Sequence, residues 1–330
     1  MDEKILSVKN LSVEYISYGR GACHAVNDVS FEVFRGEVLG LVGETGAGKT
    51  TIALSIMRLL PIPQGRVIGG AVLLDNLDIF KLSDEDMRRI RGEKISMIFQ
   101  DPMTALNPID RVGDQIAEMI YIHQKTNRIE AEKRAVAMLE KVGIPGQRYS
   151  DYPHQFSGGM RQRVVIAIAL VCSPLLLIAD EPTTALDVTI QAQVLDMMNK
   201  LKTELGTSVI LISHDLGVIA EMCDRVAVIY AGEVVELGSA PDVFESPLHP
   251  YTQGLFGSLP DIETRNRRLT PIDGQMPDPA NLPKGCKFSP RCTCCKESCR
   301  EAPVDLTEIS REHYVRCFLV NSRKVGATDV

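Results

Sequence analysis

Short runs of aliphatic and β-branched residues alternate with turns over the first hundred positions: 6–15, 26–33, 37–42, 71–74 and 95–99. Gly36 and the pair Gly69-Gly70 punctuate them, and the pattern predicts strands. One helix interrupts, predicted over 49–60, opening after a Gly-rich loop and stopping at Pro61. From 101 to 152 the reading is helical: Ala131, Ala135, Met138, Leu139 and Val142 recur at helical spacing within 128–142, and Gly143 ends that run. Between 155 and 230 helix and strand alternate again, with helix 159–171, buried strand 175–179, helix 190–205 and strand 209–212. Alternation of this kind implies an α/β fold, a parallel sheet with helices on its faces. Beyond Gly232 the chain turns rich in Pro, Gly and Cys and is expected to form a small appended domain.

Composition narrows the classes without choosing one. A chain of 330 residues suggests one large domain or two modest ones, and 45% hydrophobic with 24% charged residues is ordinary for a globular protein. The formal charge of −7 argues against a nucleic-acid footprint over the whole protein. The longest apolar stretch, 164–179, carries Ser173 and Pro174 in its middle. A spanning helix needs about 20 unbroken apolar residues. The first residues have mixed charge and lack the apolar core of a signal peptide, so a cytoplasmic location is expected.

Gly43-Glu44-Thr45-Gly46-Ala47-Gly48-Lys49-Thr50 fits the phosphate-loop pattern G-x-x-x-x-G-K-[ST]. Composition alone produces such a match on the order of once per hundred chains of this length. Context sharpens it, because a strand runs in and a helix runs out. The glycines let backbone N–H groups turn toward phosphates, and the helix N-terminus adds partial positive charge. Lys49 is expected to reach the β- and γ-phosphates and Thr50 to ligate Mg²⁺.

The run 175–179 is a buried strand that leads into two acids, Asp180 and Glu181. Ligands bind at the carboxyl ends of parallel strands. Neighbouring side chains on a strand face opposite ways, so the two acids can divide the work. Asp180 is placed to hold Mg²⁺ through water, and Glu181 to orient and deprotonate an attacking water. His214 ends the strand 209–213, and Gln100 ends 95–99 in the same way, where it could touch the metal or the water. His24, His123, His154 and His249 look exposed, have no such setting and are read as structural.

Taken in order, the loop, Gln100, Phe156-Ser157-Gly158-Gly159-Met160, the strand ending in Glu181, Ala185-Leu186-Asp187 and His214 resemble the nucleotide-binding subunit of an ABC transporter. The resemblance covers residues 4–240. Phe156 and Met160 depart from the common Leu-Ser-Gly-Gly-Gln signature in the manner of the oligopeptide and dipeptide importer branch. It implies a RecA-like core with an antiparallel β subdomain and a helical subdomain at about 101–157, within a nucleotide-binding domain of residues 1–240. Residues 241–330 would be the C-terminal extension of that branch. By the same resemblance Tyr15, otherwise a half-buried strand residue, stacks on adenine, Thr51 joins the nucleotide contacts, and Asp187 lies at a dimer seam. Ser157 caps a helix opening at Gly158-Gly159, whose N–H groups would face the γ-phosphate held by another subunit. The implied partners are a second, homologous but non-identical ATPase subunit, two membrane permeases and, indirectly, an extracellular solute-binding protein. That places the chain peripherally on the cytoplasmic face of the membrane, with no nucleic acid involved. Nickel import within the same branch, or a soluble ABC-type ATPase acting on DNA or ribosomes, are the alternatives.

Six of the nine cysteines fall within 286–317, which in a reducing compartment points to a metal before disulfides. The branch pattern C-x5-C-x6-C-x17-C selects Cys286, Cys292, Cys299 and Cys317. Four thiolates suit a [4Fe–4S] cluster or Zn²⁺, and Cys294 and Cys295 leave other quartets open. The expectation is a structural [4Fe–4S] cluster, with zinc as the alternative.

Overall fold

A computed structural model describes residues 3–17, 21–184, 186–257 and 272–320. The chain divides into two compact units that interleave along the sequence. One takes residues 33–38 and 74–212 with the start of the first strand, and the other takes Ser7–Glu32, Leu39–Leu73 and the chain from Ser213 onward.

The first unit holds three parallel strands, with Leu176–Asp180 between Ile95–Ile98 and Ser208–Ile212. Ile98 lies opposite Ala179 and Asp180 opposite Ile212, so the three strands end at one level. Every residue of Leu176–Asp180 and Ser208–Ile212 is buried, the outcome expected of continuous apolar runs in a parallel sheet. Helices Val112–His123 and Arg128–Lys141 pack on each other within the stretch read as helical. Gly113 lets the Tyr149 ring close onto the first of them, since a Cβ there would stand 2.1 Å from that ring. Tyr149 Oη donates to Asp114 Oδ1 at 2.9 Å, and burial with this acidic neighbour raises its phenol. Helices Gly158–Leu170 and Val188–Leu205 follow, each within two residues of its predicted start.

The second unit contains most of the long strands Gly21–Phe34, Lys4–Ser17 and Gly65–Leu74, side by side in that order. Such a short connection between the first two can only return the chain antiparallel. A second set of strands runs Thr307–Ser310, His313–Val315, Glu233–Ser239, Arg225–Tyr230 and Val38–Val42. Val38–Val42 is parallel to Arg225–Tyr230, and the remaining neighbours are antiparallel. Ala231 and Gly232, at φ 47° and 80°, make the two-residue turn between Arg225–Tyr230 and Glu233–Ser239. Two left-handed residues match the twist of a hairpin.

The tail beyond Gly232 differs from its reading as an appended domain with few periodic segments. It supplies Glu233–Ser239 and then two further strands to this sheet. The joint is a buried polar contact: His313 Nε2 lies 2.8 Å from Glu236 Oε1. The same carboxylate accepts from the Leu248 and His249 N–H groups at 2.8 and 2.9 Å. Across the described residues, no helix is long and apolar enough to cross a membrane.

Candidate nucleotide site and cysteine segment

The phosphate loop leaves the strand Val38–Val42 and enters the helix Lys49–Ile56. Its glycines are required by shape. Gly43 has φ 150°, and a Cβ there would stand 2.1 Å from the Ile229 carbonyl oxygen. Gly48 has φ 107°, with the Ala25 carbonyl 2.6 Å from where its Cβ would be. Lys49 is 8% exposed and folds back over the loop, Nζ donating to the Gly43 and Glu44 carbonyls at 2.6 and 3.0 Å. Ala47 N donates to Glu44 O at 3.1 Å, and Gly232 N to Ala47 O at 2.9 Å. Gly48 gives the helix no side-chain cap. Thr45, Gly46 and Thr50 are exposed along this turn. Tyr15 is half-buried, its Oη 3.4 Å from Thr51 Oγ1.

In the other unit Glu181 follows the strand Leu176–Asp180 at φ 50°, a left-handed conformation that costs a non-glycine residue on the order of 1 kcal/mol. Its N–H donates to Ile212 O at 2.8 Å. The two acids therefore part at a turn and not by strand alternation, which is how the sequence had separated them. Glu181 Oε2 accepts from Gln100 Nε2 and from Thr184 Oγ1, both at 2.9 Å. The structure thus joins two of the expected catalytic residues and adds Thr184, which the sequence reading missed. Asp180 stays on the strand and is 3% exposed.

Ser157 caps Gly158–Leu170 as expected, its Oγ accepting from Met160 N at 3.4 Å. A Cβ on Gly159 would stand 2.5 Å from Ile190 Cγ2, so the glycine also admits the neighbouring helix. Asp187 caps Val188–Leu205 by accepting from Ile190 N at 3.0 Å, a local duty the sequence reading did not give it. Ala185 lies outside the described residues. His214 is exposed, just before Asp215, which caps Leu216–Met222. His249, read as exposed, is instead 1% exposed: its Nδ1 accepts from Tyr251 N at 3.0 Å, and burial holds it down at about 4.

The thiols of Cys286, Cys292, Cys299 and Cys317 do converge, with Cys294, on one cavity. The cavity measures about 10 Å³, room for one water at most. Burial raises Cys286 and Cys292 to about 11, and Cys317 upward as well. Among the described residues no group of three or more His, Cys, Asp or Glu side chains could hold a metal ion. The donor type suits a cluster or zinc, but the space and the ligand grouping do not, and the expectation of a [4Fe–4S] or Zn²⁺ site is not supported.

A glycine-shaped phosphate loop opening a helix, together with a buried parallel strand ending in paired acids, defines a P-loop ATPase. The family described as "ABC transporter" matches residues 26–184, and "Oligopeptide/dipeptide transporter, C-terminal region" matches 235–299. The dipeptide transport ATP-binding protein DppD of Bacillus subtilis is 51% identical over 97% of this chain and 96% of its own. The oligopeptide transport ATP-binding protein OppD of the same organism is 47% identical over 96% of this chain and 89% of its own. Among solved structures, the dimeric ATP-binding cassette MJ0796 bound to ADP and Pi is similar at TM-score 0.64 and 28% identity, covering 71% of this chain and 98% of that one. This chain belongs to the ABC transporter family, in the branch of dipeptide and oligopeptide transport ATP-binding subunits.

Proposed function

We propose that the chain is the ATP-hydrolysing subunit that powers import of di- or oligopeptides across the cytoplasmic membrane. The observation that carries this reading is the 51% identity to a dipeptide transport ATP-binding protein along nearly the whole of both chains. The names of the relatives do not favour nickel import or action on DNA or ribosomes.

In this reading the loop Gly43–Thr50 wraps the phosphates, Lys49 turns from its own loop carbonyls to the β- and γ-phosphates, and Tyr15 stacks on adenine. Bound Mg²⁺ would be held by Thr50, by Asp180 through water and by Gln100, and would supply charge neutralisation at the phosphates. The exposed Thr50 hydroxyl and the buried Asp180 carboxylate are suitable oxygen donors. Glu181 takes the proton of the attacking water as its oxygen bonds to the γ-phosphorus and ADP leaves. Gln100 and Thr184 orient its carboxylate, and His214 assists at the same step. The Ser157-capped helix and Asp187 of a second, homologous ATPase subunit complete the site, so that ATP is sandwiched and hydrolysis lets the pair open. Differential binding of the closed pair is what drives transport. Two permeases meet the helical stretch 101–152, a solute-binding protein delivers peptide from outside, and the chain sits on the cytoplasmic face. Residues 1–240 form the nucleotide-binding part and 241–330 its extension. The test is uptake of labelled di- and oligopeptides by cells lacking their own importer ATPases, with the cognate permeases, solute-binding protein and homologous partner ATPase subunit supplied. Uptake should return with this chain, and failure to return overturns the transport reading.

A further inference from the structure

Glu44, the second residue of the phosphate loop, is held at each of its polar groups. Its carbonyl accepts from Lys49 Nζ and Ala47 N at 3.0 and 3.1 Å, within the loop itself. Its other groups are held by residues more than 200 positions away. The N–H donates to Tyr251 Oη at 3.0 Å, and Arg291 Nη1 donates to both carboxylate oxygens at 3.0 Å. Arg291 is aimed by its other donors: Nε donates to Asp273 O at 2.9 Å and Nη2 to Ile272 O at 3.2 Å. Its side chain is 5% exposed. Tyr230, Tyr251 and Phe288 pack their rings together at centroid distances of 4.6 to 5.4 Å, and the Arg291 guanidinium lies over the Tyr230 ring. Met276 Cε lies 3.2 Å from where a Cβ of Gly46 would stand, so the segment 272–292 touches the loop at a second point.

We infer that Arg291 is a positioning residue of the nucleotide site: by gripping Glu44 it sets the shape of the phosphate loop, and so makes the segment beside Cys292 part of the ATP-binding apparatus. The inference rests on the proposed reading of the loop as a phosphate cradle. A surface ion pair would matter little. This guanidinium is buried, and its removal leaves the Glu44 carboxylate beside the loop without the cation that faces it. Glu44 then loses one of its two distant anchors, and the loop backbone that must face phosphate loses that support. A mere staple for the tail would lower the melting temperature and leave ATP affinity alone.

The experiment measures ATP affinity by calorimetry and melting temperature on the full chain, for wild type, Arg291→Ala, Arg291→Lys, Glu44→Ala and the Arg291→Ala/Glu44→Ala double variant. Arg291→Ala should weaken ATP binding tenfold or more, and Arg291→Lys, which keeps the charge, should recover part of that loss. The double variant should bind no worse than the weaker single one, because both changes break one contact. Affinity within twofold of wild type in Arg291→Ala, or losses that multiply in the double variant, overturns the inference. Should Arg291→Ala fail to fold, Glu44→Ala and Arg291→Lys decide: twofold or smaller changes in both overturn it. Wild-type protein that binds no ATP overturns the cradle reading itself, and this inference with it.

Discussion

The helices that open at Lys49 and at Gly158 both follow glycines, and they differ in what satisfies their first turn. Ser157 sits one residue before its helix and accepts from Met160 N, so that helix start is complete within four residues of sequence. Gly48 has no side chain to offer, and the loop before it is shaped from a distance, by the Ala25, Ile229, Tyr251 and Arg291 contacts. Amide donors at a helix start without a side-chain cap are suited to an anion from outside. The difference teaches that one start is completed by its own neighbours, whereas the loop that opens the other takes its form from long-range packing.

The largest expected effect is at the loop. Lys49→Ala should weaken ATP binding by a factor of about 100 or more, measured by calorimetry, because the cation meant for the β- and γ-phosphates is gone. Unchanged affinity would remove the loop from its side of the comparison.

Acid should strain the loop's distant support next. Neutral His249 accepts from Tyr251 N, and Tyr251 Oη in turn holds Glu44 N. Burial first, opposed by Glu236 and aided by Arg316, lowers His249 from 6.5 to about 4. The unfolded chain then binds the proton more readily than the folded one, so stability is lost as pH falls from about 6.5 toward 4. The loss amounts to about 3 kcal/mol at full development. Thermal melts of wild type and His249→Asn across that window should show a shallower slope in the variant, and equal slopes would assign the acid sensitivity elsewhere.

The smallest effect belongs to the self-contained helix. Ser157→Ala removes one cap and should cost about 1 kcal/mol, a fall of about 2 °C in melting temperature. A melting temperature equal to wild type would mean that the cap carries little of that helix start.

The same contrast explains what could be read from the chain. The phosphate loop, the strand Leu176–Asp180 and the cap at Ser157 are local patterns, legible because each uses neighbouring residues. Arg291 and Tyr251 at Glu44, and His313 at Glu236, join positions 247, 207 and 77 apart, and no local period marks them. Glu181 reads from the sequence as the end of its strand, but it lies just beyond that strand, and its left-handed backbone replaces the alternation argument. His249 looked exposed because a histidine before Pro-Tyr in a Pro-rich tail carries no burial signal. The cysteines read as ligands from their clustering and from the pattern of the resembled branch, and neither fixes the size of their cavity.

The central claim is that the acid beyond the strand end performs hydrolysis on a nucleotide held by the loop. Phosphate release by the assembled transporter carrying Glu181→Gln, measured with ATP demonstrably bound, tests it most directly. Turnover should fall by about 10² to 10⁴ while ATP affinity stays within a few-fold of wild type. Turnover near the wild-type rate would contradict the account.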